Sequence, residues 1–137
     1  MIDLKGSENR VIVIADTSFL MLPGLFGVDV EGELGRLLEQ RYEMTIPMPV
    51  LQELEQLAVH GNPKERTSAN IGLLLTKRAK VIKMGGQADD AIIRLAEEKR
   101  CAVGTTDAML RRELRHRGVP VIYLRQKSHL AIDGQFG

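Results

Sequence analysis

The chain has 137 residues, 44% of them apolar and 27% charged, with a formal net charge of +1. That length is one domain, large enough to bury roughly two-thirds of its unfolded surface, and the composition is that of an ordinary soluble globule. A single cysteine, Cys101, excludes an internal disulfide and a cysteine metal site. No apolar run approaches a membrane span, and residues 1–10 lack the apolar core of a signal peptide, so an intracellular, cytoplasmic protein without a membrane partner is expected.

Strand-like and helix-like segments alternate along the chain. An apolar run at about 10–15 reads as a strand, followed by a Gly-punctuated loop through Pro23-Gly24 and a helix at about 31–41. Met44–Pro47 is a short strand stopped by Pro47 and Pro49. Helices follow at about 49–60 and 64–79, separated by the breaker Gly61-Asn62-Pro63. Lys80–Met84 is extended, Gly85-Gly86 breaks it, and a helix covers about 87–99. Cys101–Thr105 is a strand, Asp107–Arg117 a helix and Val119–Leu124 a final strand. Such alternation predicts right-handed crossovers and an α/β fold, a three-layer α/β/α sandwich around a central parallel sheet. The single domain spans 1–137, with a core at about 10–125 and a short basic tail, 126–137, that has no assigned role.

Four carboxylates fall where this fold gathers its chain ends. Asp16 ends the run Val11–Ala15, and Asp107 follows Cys101–Thr106. Glu53 and Asp89 lie near the starts of helices that each follow an extended stretch. Open parallel sheets bind ligands beyond the carboxyl ends of their strands, where helix N-termini also point. Acidic groups crowded there repel one another unless a cation joins them. Hard oxygen ligands select Mg²⁺ or Mn²⁺, ions that activate water for phosphodiester cleavage, so the pattern reads as a metal-dependent nuclease.

Each acid also has a structural explanation. Asp-Thr-Ser after a strand is turn or N-cap chemistry, and Asp107 suits the N-cap of the helix behind it. Against that, a carboxylate at the mouth of a Val/Ile strand needs a partner, and Asp16 has no basic residue within five positions. Thr17 and Ser18 are placed to orient Asp16 or to cap the next turn. Glu53 and Glu55 flank the apolar stripe Val50, Leu51, Leu54, Leu57, Ala58 on opposite edges, so periodicity does not choose between them. Asp89 falls on the inner face with Ala96 and Ile93. Asp90 falls among Arg94, Glu97 and Glu98, spaced for an i,i+4 pair with Arg94 and otherwise a second, outer acid. Both aspartates also complement a helix dipole.

The small net charge hides a segregation. Residues 1–59 carry 10 acidic and 4 basic side chains, whereas 60–86 and 108–129 each carry 6 basic and 1 acidic. Solvated helix faces explain either basic segment alone. Together, around an acidic cluster, they fit a polyanion laid across metal ions. Lys64, Arg66, Arg111, Arg112 and Arg115 are the candidates to follow a phosphate backbone. His60, His116 and His129 lack metal-ligand spacing, Cys101 reads as core, and Gly85-Gly86 is no phosphate loop because no Gly-Lys-Ser/Thr follows.

With these acids in place, four stretches together resemble the PIN domain, a ribonuclease fold related to flap-type 5′ nucleases. They are Val11-Ile-Val-Ile-Ala-Asp-Thr-Ser-Phe-Leu20, Ile46-Pro-Met-Pro-Val-Leu-Gln-Glu-Leu54, Ala88-Asp-Asp-Ala-Ile-Ile93 and Val103-Gly-Thr-Thr-Asp-Ala-Met-Leu110. The resemblance covers about residues 10–125 and favours Glu53 over Glu55. It implies single-strand RNA cleavage with Asp16, Asp89 and Asp107 holding Mg²⁺ or Mn²⁺. Glu53 would orient that ion or bind a second, and Thr17, Ser18, Asp90, Thr105 and Thr106 would stand behind the ligands. Asp89-Asp90, Asp107, Arg111-Arg112 and Gly118–Tyr123 look like the branch that processes small-subunit ribosomal RNA. The implied partners are single-stranded, pre-ribosomal RNA and a second copy in a homodimer.

Three alternatives remain open on sequence: a toxin ribonuclease, whose branch usually has one aspartate in the third motif; a non-catalytic scaffold of the same fold; and a haloacid-dehalogenase-type phosphotransferase. The last needs a second aspartate two residues after Asp16, where Ser18 stands.

Overall fold

The computed structural model describes residues 10–135. Six strands form one sheet in the order β3-β2-β1-β4-β5-β6. They are β1 (Val11–Ala15), β2 (Tyr42–Pro47), β3 (Lys80–Ile82), β4 (Cys101–Gly104), β5 (Val121–Arg125) and β6 (His129–Asp133). β1 to β5 pair in parallel, and β6 returns antiparallel along β5. β1 and β4 are apolar and almost wholly buried, and β2 is buried from Met44 to Pro47, as strands covered on both faces must be.

The helices are α1 (Thr17–Leu20), α2 (Leu22–Phe26), α3 (Val30–Leu38), α4 (Met48–His60), α5 (Pro63–Thr76), α6 (Ala88–Glu98) and α7 (Ala108–His116). Their ends follow local chemistry. Asn62 and Glu65 form a reciprocal capping box at α5, and Pro23, Pro49 and Pro63 each occupy one of the first two positions of a helix. Strand order reverses at β1. From there the chain steps outward to β2 and β3, then crosses back to β4 and on to β5. The crossovers through α6 and α7 step in the same direction, so right-handedness puts these two helices on one face. The gap between the carboxyl ends of β1 and β4 is therefore the switch point of the sheet.

Three expectations change. The loop through Pro23-Gly24 is the helix α2, which Pro23 helps to start. The tail contains β6, joined to β5 by a turn in which Ser128 N donates to the Arg125 carbonyl at 3.2 Å, so the sheet is parallel except at this edge. The helix expected to reach residue 41 stops at Leu38, because Glu39 takes the left-handed conformation with its amide bonded to the Gly35 carbonyl. The first nine residues lie outside the described residues.

Around the core, β6 is held on both sides. Beyond its ladder with β5, Leu130 N donates to Glu33 Oε1 and the Leu130 carbonyl accepts from Arg36, each at 2.9 Å. These bonds occupy backbone groups an edge strand otherwise leaves open to another chain. Gly104, at the end of β4, lies so close to Phe19 that a Cβ there would stand 2.7 Å from the ring. Only glycine lets β4 and α1 approach this closely beside Asp16.

Candidate active site

Asp16 sits one residue past β1, 7% exposed, with its amide bonded to the Gly104 carbonyl at 3.1 Å. Oδ1 accepts from Ser18 Oγ at 2.6 Å and from Phe19 N at 2.8 Å, which also caps α1. Oδ2 accepts from the hydroxyl of Thr105, a fully buried residue. Both hydroxyls accept in turn from the turn after β4: Thr106 N donates to Ser18 Oγ and Asp107 N to Thr105 Oγ1, each at 3.0 Å. Each hydroxyl has one proton, so accepting an amide directs that proton to Asp16. Consecutive amides of the β4–α7 turn thus reach the two oxygens of Asp16 through one hydroxyl apiece.

The remaining acids stand around this pair. Asp107 caps α7, its Oδ1 accepting from Met109 N at 2.8 Å and Leu110 N at 3.2 Å. Asp89 and Asp90 lie in the first turn of α6. Glu53, in the second turn of α4, accepts the Thr17 hydroxyl, so Asp16 and Glu53 are linked through adjacent residues. Glu55 receives no such bond among the described residues. Burial pushes the Asp16 carboxyl up to about 6 despite its Ser18, Thr105 and Phe19 bonds, and Asp89 adds repulsion. Asp89 is also raised, first by desolvation and then by Asp107, Glu53 and Asp90. Asp89 is therefore the electrostatic hub of the cluster.

The donor set suits a hard divalent cation: carboxylate oxygens whose repulsion a positive charge would relieve, with no basic side chain hydrogen-bonded to any of Asp16, Glu53, Asp89 or Asp107 among the described residues. The spacing is open, since no three of these acids converge closely enough to enclose an ion among the described residues. The capping explanation of Asp16 and Asp107 also holds, for both carboxylates cap helices.

Other expectations are altered. Arg94 does not pair with Asp90; its Nη2 donates to the Gly85 carbonyl at 2.6 Å. Arg111 and Arg115 both bond Asp133 of β6, at 3.1 and 3.2 Å, and Arg111 lies 3.7 Å above the Tyr123 ring. Both therefore help to hold β6 to α7. Arg112 and Lys64 are exposed without an ion pair among the described residues, and Arg66 donates to the Gly61 carbonyl. Cys101 is buried, its thiol pushed up to about 11 by burial.

A buried aspartate at the switch point of a mostly parallel sheet, faced by three further acids, defines a class of α/β domains with an acidic site at the strand ends. Residues 13–127 match the family described as PIN like domain, and the chain belongs to that family. It is 31% identical over 130 residues to Ribonuclease VapC9 of Archaeoglobus fulgidus, covering 94% of this chain and 95% of that protein. It is 30% identical over 126 residues to Ribonuclease VapC4 of Methanocaldococcus jannaschii, covering 89% and 96%. The solved PIN domain endonuclease Utp24 superposes with a TM-score of 0.74 at 23% identity, over 91% of this chain and 92% of that one. A domain of a functionally unknown protein from Methanocaldococcus jannaschii superposes at 0.61 and 19% identity, over 85% and 92%. At these identities the structural likeness speaks for the fold.

Proposed function

We propose that the chain is a divalent-metal-dependent endoribonuclease that cuts single-stranded RNA by hydrolysis. What supports this is the charge coupling along the strand ends, where Asp89 is raised by Asp107 and Glu53 and itself raises Asp16, among carboxylates that stand openly spaced. The two relatives named ribonucleases, aligned over nearly their whole length, support the same reading. Asp16, Asp89 and Asp107 would hold Mg²⁺ or Mn²⁺, with Glu53 orienting that ion or binding a second. The ion supplies the positive charge that makes water a nucleophile near neutral pH and offsets charge building on the phosphate. The chain's own part is positional. Ser18 and Thr105 fix both oxygens of Asp16, and Thr17 holds Glu53 through a hydroxyl bond.

A role in ribosomal RNA processing rests on the residue pattern of Asp89-Asp90, Asp107 and Gly118–Tyr123. The two ribonuclease relatives bear names without a ribosomal substrate, which favours keeping the toxin ribonuclease as a second reading. A co-encoded inhibitor and growth arrest on expression alone would distinguish it. The test of the main reading is cleavage of generic single-stranded RNA with Mg²⁺ and with Mn²⁺, wild type beside Asp16→Asn. Cleavage lost with Asp16→Asn supports it; no cleavage by wild type with either ion leaves a non-catalytic scaffold.

A further inference from the structure

The helix α7 opens on Asp107, one of the four acids, and its sides differ. Leu110 and Leu114 are buried, and Arg111 and Arg115 are held by Asp133. The opposite side presents Met109, Arg112, Glu113 and His116 at helical spacing, and these four line an open groove of about 300 Å³. From Met109 to His116 the face runs roughly 10 Å along the helix axis. Met109 is 79% exposed, the most exposed large apolar side chain among the described residues. Its amide donates to Asp107 Oδ1 at 2.8 Å, so the groove begins directly behind an acid of the cluster.

A lone exposed methionine is common, and this one differs in its neighbours. Arg112, one turn on, is exposed and makes no ion pair among the described residues, while Glu113 is paired with Arg117 at 3.4 Å. The groove therefore joins a small apolar surface to an unspent guanidinium beside the acids. A protein partner would need a broader apolar patch than one methionine. A nucleotide needs less: a surface for one base face and a cation for its phosphate. Sulfur packs well against aromatic rings, and a guanidinium binds phosphate or stacks on a ring. The aromatic rings beside Asp16 and α7 are not free for this work. Phe19 is fully buried, and Tyr123 lies under Arg111 at 3.7 Å.

We propose that the outer face of α7 seats one nucleotide of single-stranded RNA next to the cut, with Met109 against its base and Arg112 on its phosphate. His116 closes the far end of the groove. The nucleotide's place beside the cut rests on the ribonuclease reading, but the contact is tested by binding alone. A short single-stranded RNA and an abasic strand of equal length and charge would be titrated in EDTA across a salt series. Met109→Ala should weaken the RNA roughly two- to tenfold, the range of a thioether–ring contact, and leave the abasic strand unchanged. Arg112→Gln should weaken both strands and lower the salt slope by roughly 0.7, one phosphate contact. Val59→Ala, an exposed apolar change on α4, is the control and should alter neither strand. Equal loss on both strands with Met109→Ala, no loss on either, an unchanged slope in Arg112→Gln, a matching loss in Val59→Ala, or no binding by wild type overturns the proposal. Cleavage with Mg²⁺ or Mn²⁺ separates the two ideas. A protein that cuts RNA but binds it normally as Met109→Ala loses the α7 contact alone. One that binds as expected but never cuts keeps the contact and loses the ribonuclease reading.

Discussion

The Thr105 hydroxyl donates to Oδ2 of Asp16 and accepts the Asp107 amide at 3.0 Å, so one fully buried side chain joins the strand end that carries the first acid to the helix start that carries the last. Thr105→Val keeps the shape but removes both bonds. A hydrogen bond to a charged group is worth about 1.5–3 kcal/mol, and the buried carboxylate and amide would lose their partner together. Thermal stability near pH 7 should fall by an amount of that order, and cleavage by about tenfold or more. Thr105→Ser should restore most of both. Wild-type rates in Thr105→Val would show that Asp16 needs no such anchor.

The acids themselves admit a cleaner test, because asparagine is as good an N-cap as aspartate. Asp16→Asn and Asp107→Asn keep α1 and α7 capped while removing charge, so each should abolish cleavage with the fold intact. Asp89→Asn should do the same, and it relieves the repulsion felt from Asp107 and Glu53. Asp90→Asn should be milder, since Asp90 is the weakest of the charges that raise Asp89. Circular dichroism beside a cleavage assay checks all four. A variant of the first three that still cuts normally removes its residue from the site, and equal loss in Asp90→Asn removes the distinction drawn along α6.

Much of this site was readable in the sequence because it follows local rules. Apolar runs, breakers and caps place Asp16, Asp89 and Asp107 at element ends, and parallel crossovers bring such ends to one edge of the sheet. Periodicity does not choose between Glu53 and Glu55, and the contact that distinguishes Glu53 in the fold, Thr17 to Glu53, spans 36 positions. β6 is not legible in the sequence because Gln126 and Lys127 make its turn with positive φ (54° and 57°), without the Asn-Gly or Gly signal that usually marks a hairpin. The Asp90–Arg94 pair failed for a related reason: helical spacing allows it, but the Gly85 carbonyl offers Arg94 a bond only the folded chain reveals.

The basic segment 108–129 illustrates how tertiary pairing redirects charge. Arg111 and Arg115 clasp Asp133, and all three side chains are about one-third exposed. Asp133→Asn should therefore destabilise by only about 0.5–1 kcal/mol, with solvent screening reducing the pairs' worth. Arg111→Glu and Arg115→Glu should lose stability more than RNA affinity. Arg112→Glu, an exposed change, should lose RNA affinity with stability kept. Melting curves and RNA titrations on the three arginine variants separate these effects. Loss of affinity in Arg111→Glu or Arg115→Glu at unchanged melting temperature would return those residues to the RNA surface.

The raised Asp16 carboxyl fixes the sign of a pH effect. Its value is about 6 in the fold against 3.8 as a free group, chiefly from burial, so between these limits the native state binds the extra proton. Stability from this group is full below pH 3.8 and is lost as pH rises through 6. Without metal, the melting temperature should therefore rise as pH falls from 7 toward 4.5, this group adding roughly 2 kcal/mol of stability over that range at 1.36 kcal/mol per pH unit. Asp89 adds in the same direction, whereas Glu33, held down to about 2 by Arg36 and Leu130, opposes it only in stronger acid. Asp16→Asn should flatten the rise. Mn²⁺ competes with protons for the same oxygens and should stabilise most at pH 7, by about 2.7 kcal/mol at a hundredfold excess over its dissociation constant. A melting temperature indifferent to millimolar Mg²⁺ and Mn²⁺ at pH 7, beside the same pH slope in Asp16→Asn as in wild type, would leave these carboxylates as capping groups and end the case for a metal-dependent site.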